Sequence, residues 1–228
     1  MKWFKRIIGL LALAGMLAVP PAASAADGQL GIYVAPKIIY GAAFMKDVAL
    51  QDIPIPVKVS LGNKWDDTFG GSLAAGYDFS KKLRVPVRVE LEYAIFSETE
   101  AGDSIMGMIE VKQLYDVQTL FLNAYYDIRT GTKFTPYIGA GLGAGFIRTE
   151  IRLADILTDL GSRTVTNFAW NVGLGLGYQI TDNVALDISY RFADLGKVKT
   201  DRGPLLGVSL NTRRLYQHQF GIGARISF

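Results

Sequence analysis

From residue 26 onward, apolar side chains recur at every second position in one segment after another, which is the period of a β-strand with two unlike faces. Residues 183–193 show it most plainly. Val184, Leu186, Ile188, Tyr190 and Phe192 alternate with Asn183, Ala185, Asp187, Ser189 and Arg191. The same order runs through Phe220, Ile222, Ala224, Ile226 and Phe228, and through Phe168, Trp170, Val172, Leu174, Leu176, Tyr178 and Ile180. Leu83, Val85, Val87, Val89, Leu91, Tyr93 and Ile95 share one phase, with Arg84, Arg88, Glu90 and Glu92 on the other. Segments near 28–44, 67–79, 113–128 and 134–151 alternate less cleanly. The pattern predicts eight strands.

The connections say how the strands are joined. Ser80–Lys82, Arg129–Lys133 and Thr181–Asn183 are short and turn-like, whereas 45–66, 97–110, 153–162 and 199–212 are long. Short turns at one end and long loops at the other, with an even strand number, predict an all-β, eight-stranded, antiparallel up-and-down transmembrane β-barrel. Aromatic residues on the apolar phase (Phe44, Phe69, Tyr77, Phe79, Tyr93, Tyr126, Phe134, Phe168, Trp170, Tyr178, Tyr190, Tyr216, Phe228) suit two interfacial girdles. A soluble sandwich core is the competing reading of the same rings.

If the apolar face meets lipid, the polar face points inward and its charges must pair. The predicted inward set holds Lys37, Arg84, Arg88, Arg191 and Arg225 against Asp78, Glu90, Glu92, Asp127 and Asp187. These form a candidate lumen charge network. Eight strands enclose an interior that side chains fill, so a wide aqueous pore is not expected.

The first 25 residues stand apart. Lys2, Lys5 and Arg6 precede the apolar stretch Ile7–Val19, and Ala23-Ser24-Ala25 supplies small residues for a peptidase. This predicts a cleaved signal peptide over 1–25, cut between Ala25 and Ala26, ahead of a barrel domain over 26–228. The formal +3 charge belongs to those three cations. The remaining chain is neutral and gives no reason to expect nucleic acid as a partner. With no cysteine and one histidine, neither a disulfide framework nor a metal or cofactor site is expected.

Two features invite a chemical reading. The run Gly139–Gly145 resembles a phosphate loop, but no helix start or Lys-Ser/Thr follows. With Gly173, Gly175 and Gly177 these glycines fall on the inward phase of two strands, where they permit curvature and leave room for bulky neighbours. His218 is the sole candidate general base, yet the positions two residues away are Tyr216 and Phe220, so no serine or carboxylate accompanies it. No catalytic residue is assigned. Asp66, Asp67 and the acids of 97–110 lack the spacing of a dedicated calcium loop and read as solvated charges. The long loops carry apolar residues: Val48, Leu50, Ile53, Ile55 and Val57, then Ile105, Met106, Met108 and Ile109, then Pro204, Leu205, Leu206 and Val208. These read either as partner surface or as strands rising above the bilayer.

Pro136-Tyr137-Ile138-Gly139-Ala140-Gly141, Phe168-Ala169-Trp170, Tyr190-Arg191-Phe192, Asp194-Leu195-Gly196 and the final Phe228 together resemble the outer-membrane β-barrel and surface-antigen superfamily. That superfamily includes opacity-like proteins, alphaproteobacterial porin-like proteins and the OmpA-type transmembrane domain. The resemblance implies a bacterial outer-membrane location and a structural or adhesin-like role through the loops. A narrow channel is the alternative, and a lipid A-modifying enzyme a more distant one. The partners it implies are outer-membrane lipid and lipopolysaccharide, the assembly machinery, and a host or cell-surface ligand met by 45–66 and 199–212. Phe228 matches the aromatic assembly signal of such chains, and no peptidoglycan-binding domain is expected after it.

Overall fold

The computed structural model describes residues 30–51, 64–105, 109–153, 162–196, 198–199 and 209–228; the predicted signal peptide and its Ala25–Ala26 cleavage site lie outside them. The chain forms β1 (Ile32–Gln51), β2 (Lys64–Asp78), the single helical turn α1 (Ser80–Leu83), β3 (Val87–Phe96) and β4 (Thr99–Ile105). β5 (Ile109–Asp127), β6 (Phe134–Leu153), β7 (Ser162–Gln179), β8 (Val184–Asp194), β9 (Val198–Lys199) and β10 (Ser209–Ser227) follow. Each long strand pairs antiparallel with its neighbours, and β10 closes the sheet on β1, from Tyr33↔Ser227 to Gln51↔Ser209. β4 continues the stave begun by β3, and β9 that begun by β8, so the ten strands make a closed barrel of eight staves.

Burial is inverted relative to a water-soluble sandwich. Arg88 and Glu90 are 2% exposed and Glu92 1%, while Leu174 is 56% and Ile222 65% exposed. Ile38, Ile138, Leu142 and Ile188 are likewise exposed on the outer wall. A continuous apolar wall of this extent is stable only against lipid. Aromatic rings bound it at both ends. Phe44 packs on Trp65, and Trp170 and Tyr216 pack on Phe192 at the loop end; Tyr77 packs on Phe79, and Phe134 on Tyr178, at the turn end. Phe168 and Tyr178 bracket one strand; at about 3.3 Å per residue and a tilt of about 40° they stand about 25 Å apart, the height of a barrel's apolar band.

Three local expectations need correction. β3 begins at Val87, not Leu83, because Ser80–Leu83 winds into α1 and Arg84 caps it in the left-handed region (φ 58°). Pro86 has no N–H for the ladder, so pairing starts after it. The stretch 97–110, expected as a loop, contains β4 and the first residues of its partner β5. The expected loops 45–66 and 199–212 likewise give way to strand over 45–51, 64–66 and 209–212; 52–63 and 200–208, with Ile53, Ile55, Val57 and Pro204–Val208, lie outside the described residues, as do Met106 and Met108.

The loop-end crown is divided. β2 leaves β3 after Gly70↔Phe96, and β8 leaves β7 after Trp170↔Asp194. Beyond those points β2, β1, β10 and β9 form one sheet and β4, β5, β6 and β7 another. A β-bulge marks the first separation: between Ile95↔Gln118 and Thr99↔Tyr115, three residues oppose two.

Candidate functional site

The inward face of the turn-side half carries a connected ladder of alternating charge. Arg88 donates from Nε to both carboxylate oxygens of Asp127 (3.0 and 2.8 Å) and from Nη1 to Glu90 Oε1 (3.2 Å). Lys37 Nζ bridges Glu90 and Glu92 at 3.3 Å each, and Arg191 Nη1 meets Glu92 Oε1 at 2.7 Å. Arg191 Nε donates to Gln219, whose amide donates in turn to Gln217 (2.7 and 2.6 Å). Tyr33 donates to Glu90 (2.8 Å) and Tyr137 to Asp187 (2.7 Å). The Arg88 guanidinium lies 4.9 Å from the ring centres of both Tyr125 and Tyr137, where cation–π attraction is strong because water is excluded.

The predicted residues are thus largely brought together. Lys37, Arg88, Glu90, Glu92, Asp127 and Arg191 form the ladder, with Asp187 tied in through Tyr137. Arg225 stands 5.8 Å over the Tyr33 ring without an ion pair among the described residues. Arg84 does not belong: it is exposed in the turn, where its carbonyl accepts from Arg129 (3.1 Å). Asp78 turns to the Ser80 amide instead (2.8 Å). Both lie where the chain leaves the strand, so alternation no longer governs their direction.

The tyrosines were not anticipated, and register explains them. Tyr33 lies opposite Gly76, Tyr125 opposite Gly139 and Tyr137 opposite Gly175. Each ring covers its glycine so closely that a Cβ there would fall 2.3–2.4 Å from it. Gly175→Ala should therefore destabilise the barrel by about 1–3 kcal/mol, whereas Gly145→Ala, whose Cβ would find its nearest atom at 3.6 Å, should change stability by less than about 0.5 kcal/mol. Thermal unfolding in detergent measures both, and equal effects would contradict the ring-over-glycine account.

The loop-side half of the interior is mostly apolar, contrary to expectation, with Thr68, Thr119 and Gln217 as buried polar exceptions. Ile39, Phe96, Tyr115, Val117, Phe121, Ile147, Leu195 and Leu215 form a buried apolar cluster there. The Arg191 guanidinium lies 5.4 Å from the Phe121 ring, where the two layers meet. A cavity of about 30 Å³ beside Lys37, Glu92, Tyr125 and Arg191 has room for about one water molecule.

His218 sits on the outer wall at the loop-end girdle. Its Nδ1 shares a hydrogen bond with the Tyr190 hydroxyl (2.8 Å), and Trp65, Tyr190 and Phe192 pack around the ring. Nearby, Tyr40 donates to the exposed Asp67 (2.9 Å), and Arg214 pairs with Asp194 (3.3 Å). Among the described residues, no group of three or more His, Asp or Glu side chains could hold a metal ion.

Comparison with known proteins places this architecture. Outer membrane protein PagN of Salmonella typhimurium strain LT2 is 32% identical over 198 residues, covering 80% of this chain and 82% of that one. The Rickettsia conorii protein named "Putative adhesin RC1281" is 27% identical, over 67% of this chain and 61% of that one. Among solved structures, Neisserial surface protein A shares the fold with a TM-score of 0.56 at 21% identity, covering 89% of this chain and all of that one. A family model described as outer membrane protein beta-barrel domain matches residues 9–228. The chain therefore belongs to the outer-membrane β-barrel family and resides in the bacterial outer membrane.

Proposed function

We propose that this barrel serves as a non-enzymatic, adhesin-like surface protein whose crown makes the contacts, and not as an open solute channel. The filled interior carries the reading. A solute crossing the barrel would have to part the apolar cluster around Phe121, Ile147 and Leu195, each fully buried, and then the ion-paired ladder beneath it. The relatives named "Putative adhesin" support the same role.

The narrow-channel reading draws on the ladder alone and stops at the apolar layer. The lipid A-modifying reading has His218 alone, and its Nδ1 is engaged by Tyr190. Outer-membrane lipid and lipopolysaccharide are the natural surroundings of the outer wall and girdles, and Phe228, directly after β10, suits recognition by the assembly machinery.

Display on a non-adherent Gram-negative host tests the proposal. Adherence to cultured epithelial cells should rise clearly over the empty host. Refolded protein in planar bilayers should show no unitary conductance, and lipid A mass spectra should not change. A non-adherent host combined with discrete conductance that shifts on Arg191→Gln would overturn the surface reading in favour of the channel.

A further inference from the structure

The turns that join β2 to β3 and β5 to β6 carry charge of one sign. Residues 80–86 and 128–133 hold Lys81, Lys82, Arg84, Arg129 and Lys133 and no Asp or Glu. Lys82, Arg84, Arg129 and Lys133 are all exposed. The acids beside them are engaged elsewhere: Asp78 accepts from the Ser80 amide (2.8 Å), and Asp127 is held by Arg88 (2.8 Å). The third short turn, 181–183, carries Asp182 and no cation, so the positive charge is confined to two adjacent turns.

These turns are fixed to one another. Arg129 Nη2 donates to the Arg84 carbonyl (3.1 Å), and the Asp127 amide donates to the Pro86 carbonyl (2.9 Å). Within the second turn, the Thr132 hydroxyl accepts from the Phe134 amide (3.1 Å) and shares a hydrogen bond with the Thr130 hydroxyl (2.7 Å). Cations carried on a braced backbone lose less freedom when an anion docks.

The apolar neighbours select which anion. Val85, Tyr126, Ile128 and Phe134 continue the lipid-facing wall to its turn-side end, and Leu83 stands out from α1; all five are exposed. Leu83 lies between Lys82 and Arg84, Ile128 precedes Arg129, and Phe134 follows Lys133. Apolar side chains that end where cations begin mark a membrane interface, and the short turns of such barrels face the periplasm. A carboxylate-bearing wall polymer would meet the charge but leave Leu83, Ile128 and Phe134 in water. A lipid meets the charge with its phosphate and covers those residues with its acyl chains.

We infer that the two turns form a binding site for an anionic glycerophospholipid of the periplasmic leaflet, with Arg84 and Arg129 receiving its phosphate and Lys82 and Lys133 flanking them. The site lies at the opposite end from the crown and rests on the outer-membrane placement, not on the surface role. Guanidinium groups suit it because they present paired donors to phosphate oxygens.

Native mass spectrometry of the refolded protein in detergent micelles tests this, with phosphatidylglycerol and phosphatidylcholine of identical acyl chains as probes. Phosphatidylglycerol should bind about tenfold more tightly, the scale set by two cations beside an anionic headgroup. R84N/R129Q should bring it down to the phosphatidylcholine level; Asn is chosen at 84 because it tolerates the left-handed backbone there. K82Q/K133Q, away from the hydrogen bond between the turns, should weaken it about threefold. R214Q removes an exposed cation at the loop end and should leave the preference intact. A heat-dependent gel shift verifies that each variant is folded. Equal affinity for the two lipids would overturn the site, and an equal loss on R214Q would reduce it to net charge. Competition by free glycerol phosphate at the lipid's own concentration would assign the turns to soluble phosphate and overturn the lipid. Co-sedimentation with purified peptidoglycan that is lost on R84N/R129Q, without any lipid preference, would hand the face to the cell wall.

Discussion

Glu92→Leu should cost the folded barrel about 3–5 kcal/mol, because it leaves two buried cations without their shared carboxylate. Glu92 is 1% exposed and lies 2.7 Å from Arg191 and 3.3 Å from Lys37. Lys37 keeps Glu90, so most of the loss should fall on Arg191, whose remaining polar partner is the neutral Gln219. The double variant Glu92→Leu/Arg191→Leu should recover much of the loss, since replacing both members of a buried pair by apolar groups is often close to neutral. It would extend the apolar layer downward from Phe121. Urea unfolding in phospholipid vesicles, followed by tryptophan fluorescence, measures both. A single-variant cost under about 1 kcal/mol would mean that the ladder is hydrated and that burial does not enforce its pairing.

Leu174→Arg should cost about 2–4 kcal/mol, the range for a cation placed on the lipid face near the bilayer midplane. Leu174 points outward between Phe168 and Tyr178, the two aromatic limits of its strand. Thr164→Arg, on the same face but beyond Phe168, should cost no more than about 1 kcal/mol, because penalties fall toward the interface. The same pair separates lipid from water as the solvent of the outer wall. On a protein surface in water, each exposed substitution would fall within about 0.5 kcal/mol.

How much was legible depended on which faces were unlike. In β8, Val184, Leu186 and Ile188 meet lipid while Ala185 and Asp187 turn inward, and the alternation stated this directly. In β1, β5 and β6 it was blurred, because Ile39, Val117, Phe121 and Ile147 are apolar yet face inward. A strand that contributes to an apolar interior layer is apolar on both faces, and period two then weakens. The blur was itself the mark of that layer, but nothing along one strand separates it from a poorly formed segment. Arg84 misled for the opposite reason. Leu83 and Val85 keep strand alternation through a turn, and only the left-handed backbone at Arg84 and the missing amide of Pro86 end it.

Short-range pattern therefore determined the class of fold, the eight staves, the lipid-facing surface and most of the ladder's members, because each depends on residue parity within one strand. Register between strands decided the rest: which glycine lies beneath Tyr33, Tyr125 or Tyr137, which carboxylates share Lys37, and where β2 parts from β3. Those are pairings between residues far apart in the chain, set by closure of the whole barrel, and no local period carries them.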